Sequence, residues 1–434
     1  MGYVLLVLLI IELLIFYIFN EKNIVSPSFL GCTMFIMSTV IYLLSEEYFG
    51  YKIHGVTVAV IVFLLICVFA GERFANKIKV PTLENKSISR IEEQKSPIAV
   101  PTVVCLLIAL VILAISILHF IKSYQYSLSV GNPAGNFATM AKYIREAKTK
   151  GFEPLNLPFY INQGIVISEC FVWFCVYGLC NNKNATDKFY YRYCFPIIAY
   201  LPNIWVTDNR TTLLKMVAIC AIIIFIFTKQ KYGWTAKGNL KIIFVGVLTI
   251  SIYLAVFRWL GYRTETSLRN ELWDNLVEYT SSSLVGLDKY LLEGEPPNTL
   301  LGEGTLKGVY NILRQWGFPI PPVDQFEPFY TYANGRSNAY TTFKAYIHDY
   351  TLIGATIAMF LWGAIINYNM RYIQRNGAGF IRMCLVGMMF YPVAMLSIAD
   401  TTASILAMGT LYILLYLILI NELLIKRNIR LTIH

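Results

Sequence analysis

The sequence predicts an all-α, polytopic integral membrane protein with about eleven transmembrane helices and one large external loop. Three observations predict it. Hydrophobic residues make up 56% of the 434 residues and charged residues 14%, against roughly 45–50% and about 25% in a soluble chain. Apolar runs long enough to span a bilayer, about 20 residues each, recur from one end of the chain to the other. Two polar stretches, 122–157 and 261–350, interrupt them.

In chain order the spans fall near 2–19, 26–45, 54–72, 98–121, 158–180, 191–206, 211–228, 241–260, 351–370, 383–400 and 402–424. They divide the chain into a bundle of about eight spans at 1–260, a loop at 261–350, and about three spans at 351–434. The opening segment MGYVLLVLLIIELLIFYIF has no basic start and no small-residue cleavage site, so it reads as a retained span and not as a signal peptide. Segment 191–206 is short and carries Pro196 and Pro202, which suits a broken or re-entrant helix. The nine cysteines lie in or beside apolar runs with no CxxC pair, as small buried hydrophobes do.

Charge sets the expected orientation. The loops 20–26, 73–97, 181–193, 229–241, 371–382 and the tail from 425 carry twenty Lys and Arg residues, against fifteen in the longer opposite set 46–53, 122–157, 207–210 and 258–350. The positive-inside rule makes the first set cytoplasmic. The net charge of +10 then belongs to a rim facing anionic lipid and not to a nucleic-acid site. Within the long external loops, TSLRNELWDNLVEY (Leu268, Leu272, Leu276) and NFATMAKYIREAKTKG (Phe137, Met140, Ile144) read as interfacial helices.

Nucleotide-binding and metal motifs are missing: there is no Walker A loop, no GxGxxG after a strand and no HExxH. No cofactor or metal is expected, and chemistry should face outward on a substrate already activated. The candidates gather at the outer boundary: Arg210 after Asp208 and Asn209, Arg258 and Arg263, and Arg336, His348 and Asp349. A guanidinium binds phosphate oxygens through two parallel hydrogen bonds and keeps its charge, so several at one depth suit a lipid diphosphate. An arginine at a span end also snorkels to the interface without any ligand. His348 or Asp349 suits a general base for an acceptor hydroxyl, and Asp349 equally suits a cap for the next helix. Glu12 and Glu169 lie mid-span and need a protein interior or water around them. Asp400 reads as a cap for the last span, and Trp316, Tyr330 and Tyr332 as aromatic surfaces for sugar rings.

The span count, the external loop, the stretch TDNRTTLLK and the run NAYTTFKAYIHDYTLIGA together resemble the O-antigen and capsule repeat-unit polymerases, the Wzy-type family. Members carry Asn-x-Tyr-Thr, then an acidic residue and a glycine, matched here by Asn338, Tyr340, Thr341, Asp349 and Gly354. The resemblance implies a GT-C-like, metal-independent glycosyltransferase of the inner membrane. Such an enzyme moves a growing glycan from undecaprenyl diphosphate onto a new lipid-linked repeat, with a chain-length regulator as a candidate partner. By that analogy Arg210 and Arg263 or Arg336 hold the diphosphate, with Arg258 beside them, Asn338, Tyr340 and Thr341 line the substrate, and His348 or Asp349 meets the acceptor. The family's paired Arg-x10-Gly motifs are not present, since the eleventh residue after Arg210 is Ala221 and after Arg336 is Ile347. An O-antigen ligase, a lipid-linked oligosaccharide flippase or other transporter, and a non-enzymatic assembly partner are the alternatives.

Overall fold

The computed structural model describes residues 1–81, 97–132, 155–207, 210–234, 270–323, 327–377 and 379–426, with a few single positions between 140 and 152. The chain is predominantly helical, in the order α1 Gly2–Phe19, α2 Pro27–Leu44, α3 Glu46–Phe49, α4 Gly55–Lys77, α5 Thr102–Ser129, α6 Phe159–Thr186, α7 Cys194–Thr207 and α8 Arg210–Tyr232. After α9 Asn270–Glu293 and α10 Lys307–Gln315 comes a two-stranded antiparallel hairpin, β1 Tyr330–Tyr332 and β2 Gly335–Ser337, in which Thr331 faces Arg336. The chain continues as α11 Thr342–Asn376, α12 Phe380–Ala394, α13 Thr402–Ile405 and α14 Met408–Ile420, with a π-helical turn to Lys426.

Among the described residues, eight helices are long and apolar enough to cross a bilayer: α1, α2, α4, α5, α6, Thr212–Tyr232, α11 and Met408–Lys426. This is a multi-pass membrane protein. The expected span at 241–260 lies outside the described residues. Two other expected spans are shorter than a bilayer requires, α7 at 14 residues with Pro202 inside it and α12 at 15 residues ending beyond Pro392. The expected span 402–424 is not continuous either, because Leu406 and Ala407 separate α13 from α14.

Local sequence sets several of the helix ends. Ser26 accepts a hydrogen bond from the Phe29 amide at 3.4 Å, with Pro27 as the first residue of α2. Two large hydrophobic clusters, beside a smaller one joining α5, α6, α7 and α8, form the core among the described residues. One joins α6, α8, α12, α14 and the lower half of α11. The other joins α1, α2, α4, α9, the hairpin and the upper half of α11. Helices α4 and α11 cross with their backbones in contact: a Cβ at Gly71 would lie 1.9 Å from the Phe360 carbonyl, and one at Gly363 2.0 Å from that of Val68.

The described loop residues gather at two ends. At one end Arg73 donates to the Phe19 carbonyl, Arg371 to those of Ala75 and Ile78, and Lys231 pairs with Asp187 at 2.5 Å. At the other, the Ala333 amide bonds the Phe49 carbonyl at 3.0 Å and Asn334 that of Tyr48 at 2.9 Å, so the large loop folds onto the α2–α4 connection. Helix α9 takes in the expected stretch 266–279 from Asn270 on, where Trp273 and Tyr279 are exposed, and runs on past it to Glu293. Its second half, with Ser281, Ser282, Ser283, Leu284 and Leu287, is fully buried. The deepest polar anchor there is Asp288, which accepts from the His54 amide (2.7 Å), Thr57 Oγ1 (2.6 Å) and Tyr51 Oη (2.8 Å) and pairs with His54 Nδ1 (2.7 Å). The carboxylate thus ties the amide of His54, which precedes α4, to the Thr57 hydroxyl in its first turn.

Candidate functional site

The site candidates that can be located stand where the large loop re-joins the membrane bundle. Helix α11 begins at Thr342 and runs through Tyr350, then breaks at Thr351, whose φ of 64° and ψ of 179° are not helical. The break accounts for Gly354, since a Cβ there would lie 2.1 Å from Tyr350 Cβ. Residues 342–350 thus form a short separate helix above the long lower segment. It carries Lys344 and His348 four residues apart, on one face.

Asp349 does not cap the following segment. Its Oδ1 accepts from Asn298 Nδ2 (2.5 Å) and the Gly304 amide (3.1 Å), and its Oδ2 from the Thr305 amide and Thr305 Oγ1 (both 2.7 Å). The carboxylate clamps the loop turn 298–305 through these four bonds. Asn298 continues the chain of bonds to His348 Nε2, 2.8 Å from Asn298 Oδ1. Because the Asn298 amide nitrogen is spent on Asp349, its oxygen must accept, so His348 donates from Nε2 and leaves Nδ1 to the Tyr290 side. The nearest group to Nδ1 is the Tyr290 hydroxyl at 3.4 Å, whose pKa burial pushes up to about 12.

Beside this pair lies a cation that sequence reasoning missed. Lys344 is buried, with its ammonium 2.7 Å from Glu295 and 2.5 Å from Glu327, and it faces the rings of Tyr340 (4.7 Å) and Tyr290 (5.5 Å). Its position four residues before His348 and four after Tyr340 was the available signal. Tyr340 is buried, and its hydroxyl donates to the Pro328 carbonyl at 3.1 Å. Thr341 is buried with Oγ1 unpartnered among the described residues, and Asn338 is half-buried. The turn after α12 backs this region, with the Thr342 amide on the Leu396 carbonyl (3.0 Å) and Thr342 Oγ1 on that of Ala399 (3.1 Å). Asp400 in that turn was expected to cap the last span; it instead accepts from the Thr402 amide (3.0 Å) and hydroxyl (2.6 Å) at the start of the short α13, while its Oδ2 is buried without a partner among the described residues. Burial holds the Asp400 pKa above the usual carboxylate range.

The expected arginine cluster is not assembled among the described residues. Arg258 and Arg263 lie outside them, as do Asp208 and Asn209. Arg210 opens α8, but its side chain is likewise outside them. Arg336 stands exposed on β2 with its guanidinium over Phe329 at 5.2 Å. Of the expected aromatic platforms only Trp316 is exposed, at 63%. Tyr330 is buried, bonding the Ser282 carbonyl at 2.6 Å, and Tyr332 packs against Phe49 at 5.1 Å.

Among the described residues no group of three or more His, Cys, Asp or Glu side chains is placed to hold a metal ion. Comparison with protein-family models, with curated proteins and with solved structures finds no significant match to this chain.

Proposed function

We propose that this chain polymerises undecaprenyl-diphosphate-linked oligosaccharide repeat units of a surface polysaccharide, O-antigen or capsule, at the outer face of the cytoplasmic membrane. The observation that carries this reading is the Asp349–Asn298–His348 chain of hydrogen bonds. It holds His348 with Nδ1 facing the Tyr290 hydroxyl at the edge of the bundle, next to the large loop that folds back over it. The Lys- and Arg-rich end is the cytoplasmic end under the positive-inside rule, which turns His348, Arg336 and the start of α8 outward.

In this reading His348 Nδ1 takes the proton as the acceptor O–H bond breaks. The acceptor oxygen bonds the donor's anomeric carbon, and the bond from that carbon to the diphosphate oxygen breaks. The diphosphate leaves with the electron pair, and the charge it gains is met by guanidinium groups, Arg210 foremost and Arg258, Arg263 and Arg336 as further candidates. The fold expected of such an enzyme is GT-C-like, and the lipid-linked oligosaccharide is its partner, with a chain-length regulator as a second. Loss of a general base slows transfer by about 10²–10⁴-fold. Replacing His348 by Ala, or Arg210 by Ala, should therefore leave cells with single lipid-linked repeats while the protein inserts at normal levels. Normal-length polymer in either strain would remove that residue from the reaction.

A further inference from the structure

A cavity of about 130 Å³ lies between α6, α8, α12 and the α13–α14 junction, at the end of the bundle that carries the large loop. Its polar lining comes from Glu169, Lys215, Ser404 and Thr410, and its apolar lining includes Val166, Met388 and Ile413. Lys215 Nζ donates to Glu169 Oε2 at 3.3 Å and lies 3.2 Å from Oε1, which has no hydrogen-bond partner among the described residues. The hydroxyl protons are already spent: Ser404 donates to the Thr401 carbonyl (2.6 Å) and Thr410 to that of Ser404 (3.2 Å). Each hydroxyl therefore offers the cavity lone pairs only.

The two formal charges cancel, so neither an anion nor a cation gains from net charge. What remains is a surplus of acceptors beside one ammonium donor and apolar walls. That pattern fits a neutral ligand rich in O–H donors with C–H faces. A buried ion pair costs more than it returns unless its spare hydrogen-bonding capacity is used, and non-helical backbone at membrane depth belongs where it lines such a space. Loop helix α10 seats directly on this junction, since a Cβ at Gly308 would lie 2.6 Å from the Ala403 carbonyl and 2.7 Å from that of Leu406. We propose that the cavity is a sugar-binding subsite, in which Glu169 Oε1, Ser404 and Thr410 accept hydroxyl protons of one glycan ring and Lys215 donates to a ring or hydroxyl oxygen. The identity of that sugar as part of the repeat unit rests on the polymerase reading.

Trp173 supplies the reporter, because its ring lies 5.7 Å from the Lys215 ammonium. Purified full-length protein in lipid nanodiscs is titrated with glucose and N-acetylglucosamine, and in parallel with inorganic phosphate and methylammonium, while tryptophan emission is followed. Trp173→Phe identifies the responding ring. Saturable change with a sugar alone is expected, weakened at least about tenfold in the double variant Glu169→Gln/Lys215→Met, which removes both charges together and strands neither. Gly409→Leu is the second variant. Gly409 lines the cavity and a Cβ there meets nothing within 4 Å, so the added side chain starts from open space, narrows the cavity and weakens binding. No sugar response in the wild type, an unchanged response in both variants, or saturation by phosphate in place of sugar would overturn the subsite. Sugar binding that persists while His348→Ala and Arg210→Ala leave full-length polymer would instead sink the polymerase reading alone.

Discussion

Replacing Asp349 by Ala isolates what this carboxylate does. It removes the acceptor of four hydrogen bonds, two of them from the Gly304 and Thr305 amides. A bond to a charged group contributes about 1.5–3 kcal/mol, but the turn lies at the surface and water takes up part of the loss. The net cost of opening residues 298–305 is therefore about 3 kcal/mol, or roughly a hundredfold in the local opening equilibrium. Hydrogen–deuterium exchange on protein in nanodiscs reads this directly. Protection at Gly304 and Thr305 should fall by about two orders of magnitude, while amides of α4 and the lower part of α11 keep theirs. His348 loses its Asn298 anchor in the same variant, so polymer should shorten as well. Unchanged protection at Gly304 and Thr305 would refute the clamp, and loss of protection across the whole bundle would mean that Asp349 serves global stability.

Three further outcomes follow from the same geometry. Asp288→Ala leaves the His54 amide, Thr57 and Tyr51 without their acceptor, and should lower stability by about 3–5 kcal/mol, seen as earlier aggregation on heating in detergent. Asp400 has a raised pKa through burial, with the Thr402 bonds and Lys307 opposing and Glu327 adding to the rise. The folded state thus prefers the protonated acid, and the benefit is full below the ordinary carboxyl pKa and lost as pH rises through the folded value. Asp400→Asn should consequently outlast the wild type on heating at neutral pH, with the gap closing in acid; a gap of constant size would contradict the assignment. Gly363→Leu places atoms where the Val68 carbonyl lies 2.0 Å from a Cβ, and should abolish the stable protein as judged by size-exclusion elution.

Most of the membrane architecture was legible because a spanning helix announces itself through its length of apolar sequence. Helix ends were less so, since α5 runs on to Ser129 and α6 to Thr186, where polar residues continue a helix beyond the hydrocarbon. The break at Thr351 falls at the start of the expected span 351–370, but nothing local shows that a helix already runs from Thr342 to meet it, with Tyr350 packed over Gly354 and Gly302 at the kink. His348 and Asp349 were singled out by residue type, but the different bonds they make depend on Asn298, fifty residues before His348 in the sequence. Glu169 was recognisable as a mid-span acid, whereas its partner Lys215 was not, because pairing between helices leaves no trace in spacing. Tyr330 and Tyr332 misled for a related reason: aromatic residues in a polar loop look available for ligands until a hairpin buries them against Phe49 and α9.

The polymerase reading meets its most direct test in the lipid-linked glycans of cells with and without this gene, extracted and measured by mass spectrometry, with an enzyme added outside to find which face they occupy. The account predicts that without the gene single repeat units accumulate at the outer face and every multimer is lost. Long lipid-linked chains accumulating would contradict it in favour of a ligase, repeats confined to the inner face in favour of a flippase, and an unchanged ladder would leave the protein outside this chemistry altogether.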